Sequence, residues 1–154
     1  MSYHIRKATR ADIRTLVEFN RAMAQESEDK PLDIDTVSAG IVGLFDRPQE
    51  GHYLIAESAD GESAGALMLT FEWSDWRNGR FWWIQSVYVR PEHRRRGVYR
   101  ALHEQVRDAA RSDPEVCGLR LYVERENTGA QTTYFAMGML ETHYRIFEEE
   151  FKRE

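Results

Sequence analysis

"SVYVRPEHRRRGVYRAL", residues 86–102, holds the turn on which the reading of the fold depends. It closes a β-rich run, "RFWWIQSVYV" (80–89), whose aromatic and β-branched residues suit a long buried strand. Pro91 ends that run, because proline cannot donate to a ladder. After Gly97, the residues Ala101, Leu102, Val106 and Ala109 recur at helical spacing as far as Ser112-Asp113-Pro114. A strand that passes through a short loop directly into a helix points several backbone N–H groups at one place, which suits an anion. Gly97 allows positive φ or close backbone approach, and Arg94, Arg95 and Arg96 can offer charge-assisted bonds to phosphate oxygens. On residue types alone, a solvated loop with a glycine needed only for its turn accounts for the same pattern.

Outward from this stretch, "GLRLYV" (118–123) reads as the next strand, so residues 80–123 form a strand–helix–strand unit with a parallel crossover. Before it, "HYLIAES" and "SAGALMLTFEW" read as two strands joined by a hairpin at Asp60-Gly61. The start, "YHIRKATRADI", reads as a short strand and then a helix opened by Thr9 and Asp12. That helix presents Ile13, Leu16, Val17, Met23 and Ala24 on one face, and a second stripe follows at Ile34, Val37, Ile41, Leu44 and Phe45. At the far end, "NTGAQTTYFAMG" reads as a short helix closed by Gly138, and "HYRIFEEEF" (143–151) as a last strand. The order predicts a mixed α/β fold, a sheet of six to seven strands flanked by four helices, in one domain over residues 1–154.

Composition narrows the partners. A net charge of −5 does not suit a protein whose affinity comes from the phosphates of a long polymer, so RNA binding through Arg94–Arg96 is disfavoured. Hydrophobic content of 42% and aromatic content of 12% argue against disorder. Cys117, the single cysteine, leaves no disulfide or multi-cysteine metal site, and reads as a small buried residue. No run of apolar residues is long enough for a membrane span and no targeting motif is evident, so a cytoplasmic location is the default expectation, with neither nucleic acid nor membrane as partner.

The arginine–glycine stretch, with Arg94 and Gly97 at the first and fourth positions of [QR]-x-x-G-x-[GA], resembles the acyl-CoA signature of the GNAT superfamily of N-acetyltransferases. Tyr99 stands at the sixth position, where the family has Gly or Ala. Downstream, Asn127 at a helix start, then Tyr134, Phe135 and Gly138, are similar to the family's second landmark. The resemblance implies the GNAT fold and acetyl-CoA as acyl donor, with no metal. It implies that the backbone of Val87, Tyr88 and Val89 pairs with pantetheine, and that the loop Arg94, Arg95, Arg96, Gly97, Val98 and Tyr99 receives the diphosphate. Asn127 and Tyr134 complete the cofactor set, with Tyr134 as general acid and an N–H near Val87 holding the oxyanion. Arg100 and His103 are expected to be solvated or beside the ribose phosphate.

The base is less determined. Gln85 occupies the place where the more loosely similar polyamine acetyltransferases carry Glu, and an amide cannot take a proton. The candidates are Glu72 at the end of the third strand, Glu124 after the fifth and a water chain from Gln85 and Ser86, with Glu72 the best placed as a catalytic base, near the splay. On the acceptor side, Trp73, Trp76, Trp82 and Trp83 and the acidic residues Glu26, Glu28, Asp29, Asp33 and Asp35 suit a small cationic amine, although a solvated charged loop explains the acids equally well. Trp82 and Trp83 must face opposite sides of their strand. The tryptophans and the "EEEF" segment leave room for a homodimer. A catalytically silent acyl-CoA-binding module, or a transferase acting on protein N-termini or lysines, are the competing readings.

Overall fold

The computed structural model describes residues 2–153, and its described residues divide into two compact units, one reaching to Tyr122 and one beginning at Val123. The first unit is a sheet of five strands in sequence order: β1 (His4–Lys7), β2 (Gly51–Glu57), β3 (Ser63–Ser74), β4 (Gly79–Val89) and β5 (Val116–Arg120). The pairs from β1 to β4 are antiparallel, whereas β4 and β5 run parallel, joined by the crossover helix α3 (Val98–Ser112). Helices α1 (Ile13–Glu28) and α2 (Ile34–Phe45) lie between β1 and β2 in the chain.

The sheet's two faces carry separate cores, as strand alternation requires. On one, α3 sets Val98, Leu102 and Val106 against Leu54, Leu67, Leu69 and Ile84. On the other, Leu16, Val17 and Phe19 of α1 and Ile41 of α2 pack on Tyr53, Ile55, Ala66 and Tyr88. Trp82 belongs to the α3 side. Trp83 shares the opposite face with its cross-strand partner Thr70, so the adjacent tryptophans do diverge.

The second unit holds α4 (Thr128–Ala136), whose N-cap Asn127 accepts from the Ala130 N–H at 3.2 Å. Gly138 closes it at φ 94°. Here two expectations are corrected. Five strands are present among the described residues, not six to seven, and "HYRIFEEEF" forms none of them. A strand exists only through a ladder partner, and this segment has none there; Phe147 is 93% and Phe151 80% exposed. Cys117 is also exposed, on edge strand β5, rather than buried.

Candidate active site

The site begins where β4 and β5 part. Their ladder ends at Trp83↔Arg120, and β4 continues to Val89 with no strand beside that edge among the described residues. At the same level β4 breaks register with β3: Gln85 faces Met68 and Tyr88 faces Ala66, leaving Ser86 and Val87 opposite one residue, with Ser86 at φ 52°. This β-bulge re-aims the backbone around Val87, and bulges recur where a strand has to present groups to a site. No residue type announced it, since serine is an unremarkable strand member.

Beyond Val89 the chain passes Pro91 and a short 3-10 turn into the arginine loop. Two left-handed residues shape that loop, Arg95 at φ 62° and Gly97 at φ 83°, the latter capping α3. A Cβ on Gly97 would meet nothing within 4 Å, so glycine is needed there for its φ and not for lack of room. Val98 is buried and anchors the helix start on the sheet. Arg95 and Arg96 are exposed. The Arg94 side chain turns to other partners: its Nε donates to the Val89 carbonyl at 3.0 Å and its Nη2 to Glu26 at 2.7 Å.

His103 departs from the sequence reading. It is 1% exposed, on the buried face of α3, with Nδ1 2.9 Å from the Tyr99 hydroxyl and Nε2 without a hydrogen-bond partner among the described residues. Arg100, in contrast, is exposed and lies 3.7 Å from Glu104. Desolvation, with Arg107 adding to it and Glu104 opposing, lowers the pKa of His103 from 6.5 to about 4. Burial does the same to His52, to about 4, with Lys7 adding to it. Both histidines therefore favour the folded state while neutral. Their contribution is complete above pH 6.5 and is lost as pH falls through that value toward about 4. The expected result is a melting temperature that drops across this window, with a shallower drop in the His103→Leu, Tyr99→Phe double variant; an unchanged slope would remove His103 as a cause.

Below the splay is a polar and aromatic cluster on the α1–α2 side. Glu72 Oε1 accepts from Trp83 Nε1 at 3.0 Å and from Arg120 Nη1 at 2.9 Å, and Tyr122 lies 5.9 Å from Trp83, ring to ring. Arg120 also covers Phe81, 3.6 Å from its ring centroid. Gln85 donates to the Thr70 hydroxyl at 2.5 Å. Trp73 and Trp76 are exposed, at 57% and 86%.

The acidic run is partly structural, which sequence reasoning missed. Asp33 caps α2, accepting from the Thr36 N–H and hydroxyl at 2.9 and 2.8 Å, and Asp29 ends α1 in the left-handed region. The pattern D-x-x-T before an apolar run was the available signal. Glu26 is taken up by Arg94. In the second unit, Glu124 shapes the approach to α4, accepting from the Glu126 N–H at 2.7 Å, and burial raises the pKa of the Tyr134 phenol.

A parallel crossover, a strand that splays and bulges, and a glycine-capped helix follow one another along a single stretch of chain, so the end of β4 leads directly to the N–H groups at the start of α3. The model of the acetyltransferase (GNAT) family matches residues 13–139, across both units. The chain belongs to the GNAT acetyltransferase family. It is therefore an enzyme of the N-acetyltransferase class, which draws its acyl group from acetyl-CoA. It is 30% identical to the thialysine N-epsilon-acetyltransferase of Bos taurus, over 87% of this chain and 82% of that one. A possible acetyltransferase of Clostridium difficile 630 superposes with a TM-score of 0.91 at 38% identity, covering 99% of this chain and 100% of the other. The fold alone is shared with a predicted acetyltransferase of Clostridium acetobutylicum solved with acetyl-CoA, at TM-score 0.78 and 18% identity over 96% of each chain. Among the described residues, no helix of this GNAT enzyme is long and apolar enough to cross a membrane.

Proposed function

We propose that this GNAT enzyme transfers the acetyl group of acetyl-CoA to the primary amine of a small cationic molecule, by direct attack within a ternary complex. The observation that carries the reading is the splay of β4 from β5 at Trp83↔Arg120, with the bulge at Ser86 and the left-handed Gly97 following it on the same strand-to-helix path. Pantetheine would lie along the exposed edge of β4, pairing with backbone groups of Val87, Tyr88 and Val89 as an added strand does. The backbone N–H groups from Arg95 to Tyr99, at the α3 N-terminus, would receive the diphosphate, with the Arg95 and Arg96 side chains adding charge.

Acyl transfer to an amine needs a deprotonated nucleophile, a donor for the oxyanion and a proton for the departing thiolate. The re-aimed backbone around Val87 supplies the oxyanion donor in this reading, and Tyr134 supplies the proton. A phenol of ordinary pKa 10.0 already carries its proton at neutral pH, as a general acid must, and burial shifts Tyr134 further in that direction. Gln85, tied to Thr70, has no basic atom to offer, and the ammonium proton leaves through water along Gln85 and Ser86. Glu72, held by Trp83 and Arg120 yet 46% exposed, acts as an acceptor-orienting anion, with the Trp83 and Tyr122 rings as an aromatic wall for a cation. The thialysine activity of the bovine relative points to the same class of acceptor.

The test is free thiol release from acetyl-CoA over a panel of thialysine, lysine, diamines, polyamines and lysine peptides. Turnover confined to small cationic amines is expected. Binding of acetyl-CoA without thiol release on any amine would establish a silent binding module instead, and turnover on peptides alone would establish a protein-modifying enzyme. With a working amine in hand, Glu72→Gln is expected to raise its KM about tenfold, the effect of losing one charge-assisted contact worth ~1.5 kcal/mol, while the KM for acetyl-CoA changes little.

A further inference from the structure

The first arginine of the loop has the wrong partners for a phosphate clamp. Arg94 Nε donates to the carbonyl of Val89, the last residue of β4, and Nη2 donates to Glu26 Oε2 at 2.7 Å. Its guanidinium carbon stands 5.6 Å from the Tyr88 ring centroid. The Tyr88 hydroxyl in turn donates to Glu26 Oε1 at 3.4 Å, so both carboxylate oxygens are engaged, one from the strand and one from the loop. Glu26 sits in the last turn of α1, and Tyr88 also packs on Phe19 of the same helix, ring centroids 5.1 Å apart. The end of α1 is thereby joined to β4 and to the cofactor loop at one point. From that end the chain runs through residues 29–33 to α2, on the side of the sheet that carries Gln85, Trp83 and Glu72.

We infer that Arg94 is a positioning residue: with Glu26 it forms a latch that fixes the C-terminal turn of α1, and the lip that follows it, against the cofactor loop. The role of Arg94 is to place the acceptor side, and the diphosphate is left to the backbone N–H groups and the neighbouring arginines. The inference rests on the acetyl-transfer reading for its kinetic consequences, but the latch itself needs no ligand to be measured.

Magnitudes separate the two roles. Both side chains of the ion pair are 45% exposed, and a half-solvated pair couples by at most ~1 kcal/mol, a factor of about five. A guanidinium bonded directly to a diphosphate contributes ~1.5–3 kcal/mol, so its loss would weaken acetyl-CoA about 10- to 150-fold. Arg94→Met retains a stem over the Tyr88 ring without the charge, Glu26→Gln retains the shape of the acid, and Glu26→Arg with Arg94→Glu reverses the pair.

Three measurements decide it. Calorimetric titration with acetyl-CoA is expected to give a Kd for Arg94→Met within about threefold of the parent, whereas a loss of tenfold or more with Glu26→Gln unaffected would make Arg94 a phosphate ligand and overturn the latch. With thialysine as acceptor, each single variant is expected to raise the acceptor KM about two- to fivefold, the double removal no further, and the reversed pair to recover most of it. Additive losses without recovery would overturn it as well. Hydrogen exchange on unliganded protein is expected to be faster at amides of residues 24–30 in both single variants and slower again in the reversed pair; unchanged exchange there would refute the latch even if acetyl-CoA or thialysine proved not to bind. No acetyl-CoA binding by the parent enzyme, with the exchange result as expected, would count against the acetyl-transfer reading alone.

Discussion

Tyr134→Phe is expected to lower kcat by about 10²–10⁴-fold, the usual worth of a positioned general acid, with acetyl-CoA affinity nearly unchanged. The substitution keeps the ring of a half-buried aromatic on α4 and removes only the hydroxyl, so packing is retained and the variant should stay folded. Burial holds the phenol above its ordinary pKa of 10.0, so it carries its proton at every pH at which the enzyme would be assayed. The CoA thiol, of pKa ~8.5 by analogy with cysteine, leaves as a thiolate that needs that proton. Without it the deficit should be largest at high pH and shrink as solvent becomes acidic enough to substitute. The measurement is the pH profile of kcat under conditions where acyl transfer limits the rate. Full turnover in the variant would make Tyr134 a packing residue.

Gly97→Asp is expected to abolish the stabilisation that acetyl-CoA gives the protein. At 100 times its Kd the ligand adds ~2.7 kcal/mol, which for a chain of this size raises the melting temperature by roughly 5–10 °C. The new side chain has open space, with nothing within 4 Å of a Cβ, so the variant should fold; the cost in the unliganded state is that of a non-glycine residue at φ 83°, on the order of 1 kcal/mol. The loss comes from a carboxylate beside the N–H groups intended for phosphate. Gly97→Ala separates the effects, since it carries the same backbone strain without the charge and should retain part of the ligand-induced shift. An equal shift in Gly97→Asp and the parent would place the diphosphate elsewhere.

Much of this was legible because it depends on local chemistry. A proline that stops a strand, a glycine that accepts φ 83°, and apolar residues at helical spacing through Val106 mark a strand–loop–helix in any context. The same holds for Asn127 as the cap of α4, and for Trp82 and Trp83 on opposite faces, since alternation is a property of the strand itself.

What the chain could not announce is whatever two distant segments decide jointly. The bulge at Ser86 is a mismatch of register between β3 and β4, visible only when both strands are laid side by side. Glu26 and Arg94 lie far apart in sequence, so an arginine in a basic loop reads as a phosphate ligand until a helix end is found against it. His103 reads as solvated one turn into α3, and becomes a buried neutral imidazole because that face of the helix closes on the sheet. The segment "HYRIFEEEF" has the composition of a strand but not its hydrogen bonds, which only a partner can supply. Sequence alone determined the helices and the path from β4 through Gly97 into α3, because these rest on local chemistry; the tertiary structure decided which strand-like segments find a ladder and which charged and polar side chains remain to meet a ligand, because each ion pair and cap made inside the fold withdraws one.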